Sequence, residues 1–180
     1  STGIDVTGTA TMDGLTVEAT TPTLTLSSPA IAWAGGESIG SLDWYTRDTS
    51  GVGPLVASRI YSYSVGSNSL PVTNLAFQTT TAGSALKTGL LLEYNNDVSF
   101  YEDTGTTPKL FWDASAEALG IGTSSPSQDL EILNGSTGAG IRLAATGTAY
   151  WDIERDSTSG HLTFTDDGAG TVLTVGQDGN

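Results

Sequence analysis

The sequence has no cysteine, a single histidine and only six basic side chains among its 180 residues. The absence of cysteine excludes disulfides and thiolate metal sites within the chain. No apolar run approaches the roughly 20 residues that a membrane-spanning helix needs, and no signal peptide is visible. Long helices rich in Glu, Lys and Arg are also missing, because the closest candidate, 114–119, is one turn at most.

Positive charge is scarce, since the chain has 20 acidic but only 6 basic side chains and a formal net charge of −14. A negative field of this size disfavours nucleic acid and anionic lipid as partners. We therefore expect no nucleic-acid binding and no membrane insertion. The carboxylates are interpreted as a solvated surface along strands and turns, with divalent-cation binding as the alternative.

The residues that are abundant favour β-structure. Thr, Ser and Gly dominate, with 23 Gly, and Thr and the β-branched aliphatic residues suit a pleated surface. Gly and Asn suit tight turns. Low charge with much Ser, Thr and Gly would also fit disorder, but 37% of residues are hydrophobic and alternate with polar ones. The sequence therefore predicts an all-β fold.

Turn signals and alternation divide the chain into four regions. About seven short strands at near-regular spacing, which we expect to pair antiparallel, suggest that the longest region is a sandwich-like unit. The regions are a strand–turn–strand connector (1–21, with strands at 4–7 and 15–17), a first β unit (22–118), a linker with the sequence Gly-Ile-Gly-Thr and a proline (119–131), and a second, shorter β unit (132–180). The strands predicted for the first unit are 23–26, 39–45, 55–65, 75–78, 90–94, 98–101 and 109–112.

The second unit reads as a shortened copy of the first. Residues 42–48 correspond to residues 150–156, since both segments contain an aromatic pair, an acidic residue and a closing Arg-Asp. Further matches are 24–26 with 141–143, 75–77 with 162–164, and 110–113 with 173–176. Repetition along an axis is how fibres are built. We expect the chain to be a slice of a longer protein, with another Gly-Ile-Gly-Thr segment beyond residue 180.

Four stretches, 22–26, 39–45, 79–86 and 119–132, resemble repeat units of tail-fibre proteins of tailed bacteriophages, particularly those of marine viruses, the cyanophage type. The string Gly-Ile-Gly-Thr-Ser-Ser-Pro at 120–126 is the most specific of them. The resemblance covers 22–133 well and 134–180 loosely. Two departures are Ala-Glu-Ala at 116–118, where Ser-Gly-Asn is usual, and an added hairpin at 97–111.

This resemblance implies a structural virion component, an elongated homotrimeric fibre segment that is extracellular and serves attachment to the host cell surface. Its implied partners are two further copies of itself and other tail proteins of the virion. Short units with modest apolar content can bury their exposed faces on symmetry mates. Whether the sheets form within one chain or between three stays open.

No catalytic constellation stands out, and we predict no catalytic, cofactor or metal site. His161 is interpreted as a turn or edge residue, and no Gly-x-Ser-x-Gly elbow accompanies it. The oxygen-rich turns 95–97 and 166–168 do not follow EF-hand spacing. Glycoside hydrolysis needs a pair of carboxylates. The candidates for such a pair are Asp43, Asp48, Glu93, Glu102, Asp152 and Asp156.

Aromatic residues are the candidates for ligand or subunit contacts, namely Trp33, Trp44, Tyr45, Tyr150 and Trp151. Adjacent residues of a strand face opposite sides. One ring of each adjacent pair can therefore fill the unit's own core, while the other needs a partner such as a neighbouring subunit. Trp33, beside a Gly-Gly turn, suits a loop that stacks on sugar. A carbohydrate-binding module of a fibre or adhesin and a glycan-depolymerising tail-spike domain are the alternatives.

Overall fold

The computed structural model describes residues 14–28, 34–66, 72–80, 85–135, 138–144 and 149–176. Over these ranges the chain is all-β, with twelve strands and no helix. The strands are β1 (Ser38–Thr46), β2 (Leu55–Ser64), β3 (Thr73–Thr80), β4 (Leu86–Leu92), β5 (Val98–Tyr101), β6 (Pro108–Asp113), β7 (Ala118–Ile121), β8 (Leu130–Ile132), β9 (Ala139–Ala144), β10 (Tyr150–Arg155), β11 (Leu162–Asp166) and β12 (Gly170–Val175).

The strands form two sheets in which neighbours in sequence are neighbours in space. The large sheet has the order β1 to β8, and the small sheet has the order β9 to β12. All pairs are antiparallel except β7 and β8, which are parallel. Short turns make this meander possible; at the β4–β5 turn, for instance, Asn96 takes a φ of 70°, a conformation that Asn tolerates better than most residues. The prediction of an all-β fold with mostly antiparallel strands is confirmed.

Alternation located most strands of the first unit correctly. The predicted strand 98–101 coincides with β5, and 39–45, 55–65, 75–78 and 109–112 lie on β1, β2, β3 and β6. The prediction at 90–94 overlaps β4, which begins earlier, at Leu86.

Two predicted strands are wrong. Residues 15–17 and 23–26 alternate as expected, but the structure gives neither segment a strand. A strand requires a hydrogen-bonding neighbour, and no described segment of the chain pairs with them. Leu15 and Leu24 are accordingly 59% and 57% exposed. The third strand of that region, 4–7, lies outside the described residues.

The expected sandwich-like packing is not found within the described chain. Apart from β2 and β4, which approach across β3, the substantial contacts join strands that pair within a sheet. The reason is topological: from β1 to β8, and again from β9 to β12, each connection leads to the next position in the same sheet, so within each set no strand crosses to a second layer.

The segment expected to be a linker, 119–131, contributes to the end of the large sheet. It holds most of β7 and the first two residues of β8. Leu133 donates its N–H to the carbonyl of Ile121 at 2.8 Å, which continues the pairing of β8 with β7. The change from the large to the small sheet therefore falls between Ile132 and Ala139.

Candidate functional site

One face of the large sheet carries an unbroken row of apolar side chains, one from every strand. Because directly paired residues point to the same side of a sheet, the register places these side chains next to one another. With about 4.8 Å between neighbouring strands, the row extends about 34 Å. Its members are Leu42, Ile60, Phe77, Leu90, Phe100, Leu110, Ile121 and Ile132.

A second apolar row runs beside the first on the same face. It consists of Leu75, Leu92, Val98, Trp112, Leu119 and Leu130. Trp44, two residues beyond Leu42 on β1, lies on this side as well. The two rows and Trp44 are named the large apolar face.

The large apolar face is open in the single chain. Eight of its members have exposures from 37% at Phe77 to 54% at Trp44. Leu26 contacts the margin of this face, where its Cβ lies 3.3 Å from the position of a Cβ on Gly40. Trp44, Phe77 and Phe100 border a shallow groove of about 390 Å³. A patch of this extent on a monomer marks an interaction surface.

The opposite face of the large sheet covers itself. Its central row alternates large and small residues, so large side chains lie over small neighbours. Ala76 is 1%, Ser99 2% and Phe111 7% exposed. The row is Ser41, Tyr61, Ala76, Leu91, Ser99, Phe111, Gly120 and Glu131. This face needs no partner to bury its central side chains.

An ion pair and stacked rings reinforce that opposite face at its β1 end. Arg59 donates from Nε and a terminal nitrogen to the two carboxylate oxygens of Asp43, at 2.7 and 2.6 Å. This pairing holds the pKa of Asp43 below its usual value. The Arg59 guanidinium also lies 5.9 Å from the ring centroid of Tyr61, which stacks on Tyr63 at 5.2 Å. Burial raises the pKa of Tyr61.

Buried polar side chains tie neighbouring hairpins together at one end of the large sheet. The Asn74 side-chain oxygen accepts the N–H of Tyr94 at 3.0 Å, and its amide donates to the Tyr63 hydroxyl at 3.1 Å. Asp97 accepts the N–H of Ala114 at 2.9 Å. Asn74 and Asp97 are 5% and 8% exposed, so these bonds replace water as their partner.

The small sheet is divided into two unlike faces in the same way. One face, named the small apolar face, carries Ile141, Leu143, Trp151, Ile153, Leu162, Phe164, Leu173 and Val175, with Arg155 and Asp166 at its margins. The other carries threonines and charged residues, including Arg142, which binds the Asp152 carboxylate at 2.8 and 2.7 Å. No residue of β9 to β12 is buried. The small sheet therefore has an apolar side but no core of its own.

The aromatic pairs selected from the sequence lie on these sheets. Trp44 and Tyr45 are 54% and 58% exposed, so neither ring fills a core within this chain. Trp151 belongs to the small apolar face and is 45% exposed. Tyr150 is half-buried under the guanidinium of Arg142, whose central carbon lies 3.7 Å from the ring centroid. Trp33 lies outside the described residues.

Sequence reasoning missed the residues that make the rows continuous, such as Phe77, Phe100 and Ile121. Alternation placed Phe77 and Phe100 on predicted strands, but continuity depends on register. The register shifts at bulges, for example between Phe77 and Gln78 on the β3–β4 pair. Local sequence carries no direct signal for such shifts.

Five of the six carboxylates considered for catalysis accept hydrogen bonds from nearby donors, and Glu93 is the exception. Asp48 accepts the N–H and the hydroxyl of Ser50 at 2.8 and 2.7 Å, and Asp156 accepts the N–H of Thr158 at 3.0 Å. Glu102 accepts the N–H groups of its turn, from 2.8 to 3.0 Å. The hydrogen bonds lower the pKa of all three carboxyls. Such bonds fix the turns between strands.

The remaining polar candidates are also part of turns. The carbonyl of His161 accepts the N–H of Asp156 at 2.9 Å, one residue before β11 begins. Asp166 accepts the N–H groups of Gly168 and Ala169 at 3.0 and 2.9 Å. Across the described ranges, no three His, Cys, Asp or Glu residues gather where they could hold a metal ion.

No protein-family model matches the chain, and no curated protein is similar to it at a significant level. Within the described segments, the structure has no helix of the length and hydrophobicity needed to cross a membrane.

Proposed function

We propose that this chain is a structural segment of a bacteriophage tail fibre, which assembles as a homotrimer in the virion and serves attachment to the host cell surface. The observation that carries the proposal is that both sheets leave a continuous apolar face uncovered. A soluble chain with such faces is completed by association. Closed symmetric assemblies of identical chains are the commonest way to achieve it.

The meander topology supports a fibre. Every strand of the large sheet pairs with its sequence neighbours, so the sheet grows in one direction as the chain proceeds. The small sheet repeats the same plan. Elements that contact only their neighbours form quasi-one-dimensional structures.

The number of chains and the virion context derive from the sequence resemblance, above all from the string at 120–126. The structure gives a physical reason for its glycines. A Cβ on Gly120 would overlap the carbonyl oxygen of Thr123, and one on Gly122 would overlap that of Leu133. The glycines of the string are therefore required by a close backbone crossing, and the support that the string gives to the proposal is its resemblance to tail-fibre repeats.

A carbohydrate-binding module is the second candidate, favoured by the three rings of Trp44, Phe77 and Phe100 along one groove. Sugars stack on exposed rings, but binding sites also need polar groups that fix the orientation of the ligand. The groove is mainly apolar, which favours a protein partner. Glycan-array binding that is lost in a Trp44→Ala variant would support this candidate instead.

Light scattering coupled to size exclusion tests the proposed assembly. At micromolar concentration we expect a mass three times the chain mass of 18.5 kDa. A monomer or a dimer would contradict the homotrimer. The small sheet makes a monomer unfavourable, because its apolar side is left in contact with water.

A further inference from the structure

We infer that the large and small apolar faces form the interior of the assembly, each chain contributing the same two faces, while the self-covered and Thr-rich faces lie outside. This assignment rests on the proposed self-association and specifies its contacts. It predicts which of two neighbouring side chains on one strand is buried between chains.

The exposed area of the chain is the first argument. The chain exposes 12808 Å². A compact monomer of 18.5 kDa exposes about 8,200 Å². The excess, about 4,600 Å², belongs partly to the uncovered faces and partly to the segments outside the sheets. Obligate subunit interfaces bury areas of this order, counted over both partners, whereas a transient partner covers far less. The area therefore favours a permanent partner such as further copies of the chain.

Charge is the second argument, and it selects the face. Each copy carries a net charge of −14, so copies repel one another, and least when they meet through uncharged surface. None of the fifteen side chains of the large apolar face is charged, and the one charged residue that the register places beside it is the basic Lys87, in line with Trp44. The opposite face carries Asp43, Arg59 and Glu131. Contact through the apolar face thus keeps the charged faces of the copies apart, which reduces their repulsion, and avoids the burial of charge.

The rest of the chain is a poor alternative occupant. Among the described segments outside the sheets, Leu26 covers the face at Gly40. The longest stretch outside the described residues, 1–13, has three large aliphatic side chains, Ile4, Val6 and Met12. Three side chains cannot cover a surface of fifteen, and Leu15, Val17 and Leu24 of the described segment 14–28 are themselves exposed. Further copies, in contrast, bring an equally large apolar face.

Trp44 and Tyr45 provide a matched test of this assignment. They are adjacent, both aromatic and similarly exposed, at 54% and 58%, but they point to opposite sides of β1. Trp44→Asp places a charge on the large apolar face and should reduce the mass by light scattering to one third. Tyr45→Asp adds the same charge to the outer face and should leave the mass unchanged.

A second variant and a fold check keep the test decisive. Phe100→Asp, at 46% exposure in the middle of the sheet, should dissociate the assembly as Trp44→Asp does. A cysteine-free chain also allows single-cysteine cross-linking with a bismaleimide. Phe77→Cys on the apolar face should cross-link between chains, and Gln78→Cys on the outer face should not. Because cysteine adds no charge to the face, this readout does not depend on a variant designed to dissociate the assembly.

The outcomes separate the two proposals. A monomeric wild-type chain contradicts the proposed assembly itself. A trimeric wild type whose Trp44→Asp or Phe100→Asp variant stays trimeric, or whose Tyr45→Asp variant dissociates, overturns the assignment of faces alone. Cross-linking through position 78 in preference to position 77 would overturn it as well, and a heterologous protein partner would appear as a wild-type monomer.

Discussion

At the scale of single residues, Glu93 is the carboxylate whose environment opposes its charge. It follows β4, and its N–H donates to the carbonyl of buried Asp97 at 2.9 Å. Burial, and secondarily the charge of Asp97, raises the pKa of Glu93 above its ordinary value of 4.5. The folded chain thus binds this proton more tightly than the unfolded chain does. The stability gained from the protonated form is full below pH 4.5 and is lost as the pH rises through the folded-state pKa.

We therefore predict that Glu93→Gln raises the melting temperature at neutral pH and that its advantage disappears in acid. Because the side chain is only partly buried, water screens it, and the gain stays below about 1 kcal/mol. Thermal melts at neutral pH and near pH 4 measure both effects. Glu102→Gln is the matched control of opposite sign, because hydrogen bonds lower the pKa of Glu102 and favour its charged form. Equal melting temperatures of wild type and Glu93→Gln at neutral pH would contradict the prediction.

Residue-scale geometry was partly predictable from the sequence. That Trp44 and Tyr45 point to opposite sides follows from the pleat of any strand. That neither ring is covered does not follow, because alternation reveals that a side is apolar but not what lies against it. The turn role of Asp48 and Asp156 matches the Arg-Asp signal before each turn.

At the scale of elements, the connection from β7 to β8 depends on the conformation of Gly122. Its φ is +80°, and a Cβ there would overlap the carbonyl oxygen of Leu133, whose N–H continues the ladder to Ile121. We predict that Gly122→Ala costs about 1–3 kcal/mol, through both the left-handed backbone and the overlap. Urea unfolding measures this loss.

Gly135→Ala is the matched control for that experiment. Gly135 lies in the next connection, from β8 to β9, and an added Cβ there meets no atom within 4 Å. We expect a change within about 0.5 kcal/mol, as for most surface substitutions. Similar midpoints for the two variants would show that the crossing of β7 and β8 does not depend on the glycine.

Elements with regular alternation were predictable, and elements that depend on a partner were not. The bounds of β5 followed from its sequence alone. The segments 15–17 and 23–26 have the same alternation but no neighbour in the chain, so pattern without pairing gave no strand. The parallel pair β7–β8 was read as a linker because Gly and Pro usually interrupt strands, whereas here the glycines permit close backbone approach.

At the scale of the whole molecule, the expected sandwich differs from the structure because the described chain has no second layer. Alternation shows that each strand has an apolar side, and burial of that side was assigned to another sheet of the same unit. The meander provides no such sheet within the described chain. The uncovered side is equally compatible with a layer from another chain, which local sequence cannot distinguish from an internal one.

If copies of the chain complete one another, folding and association are one equilibrium, and stability depends on protein concentration. Unfolding then releases several chains from each assembly, so dilution favours the unfolded state by mass action. We predict that the melting temperature rises with chain concentration. Scanning calorimetry over a hundredfold concentration range measures it, and a constant melting temperature would indicate a chain that folds alone.

Salt provides an independent test, because the assembly concentrates the net charge of −14 from each chain. Between 0.01 and 0.15 M ionic strength the Debye length falls from about 30 to about 8 Å, which screens repulsion between the outer faces. The same salt weakens the ion pairs of Asp43 with Arg59 and of Asp152 with Arg142, but partly exposed pairs contribute only about 0–1 kcal/mol each. Repulsion between chains therefore dominates, and we expect salt to raise the melting temperature. A decrease of the melting temperature would mean that these ion pairs outweigh the repulsion between chains. It would contradict an assembly in which association through the apolar faces concentrates the negative charge of several chains.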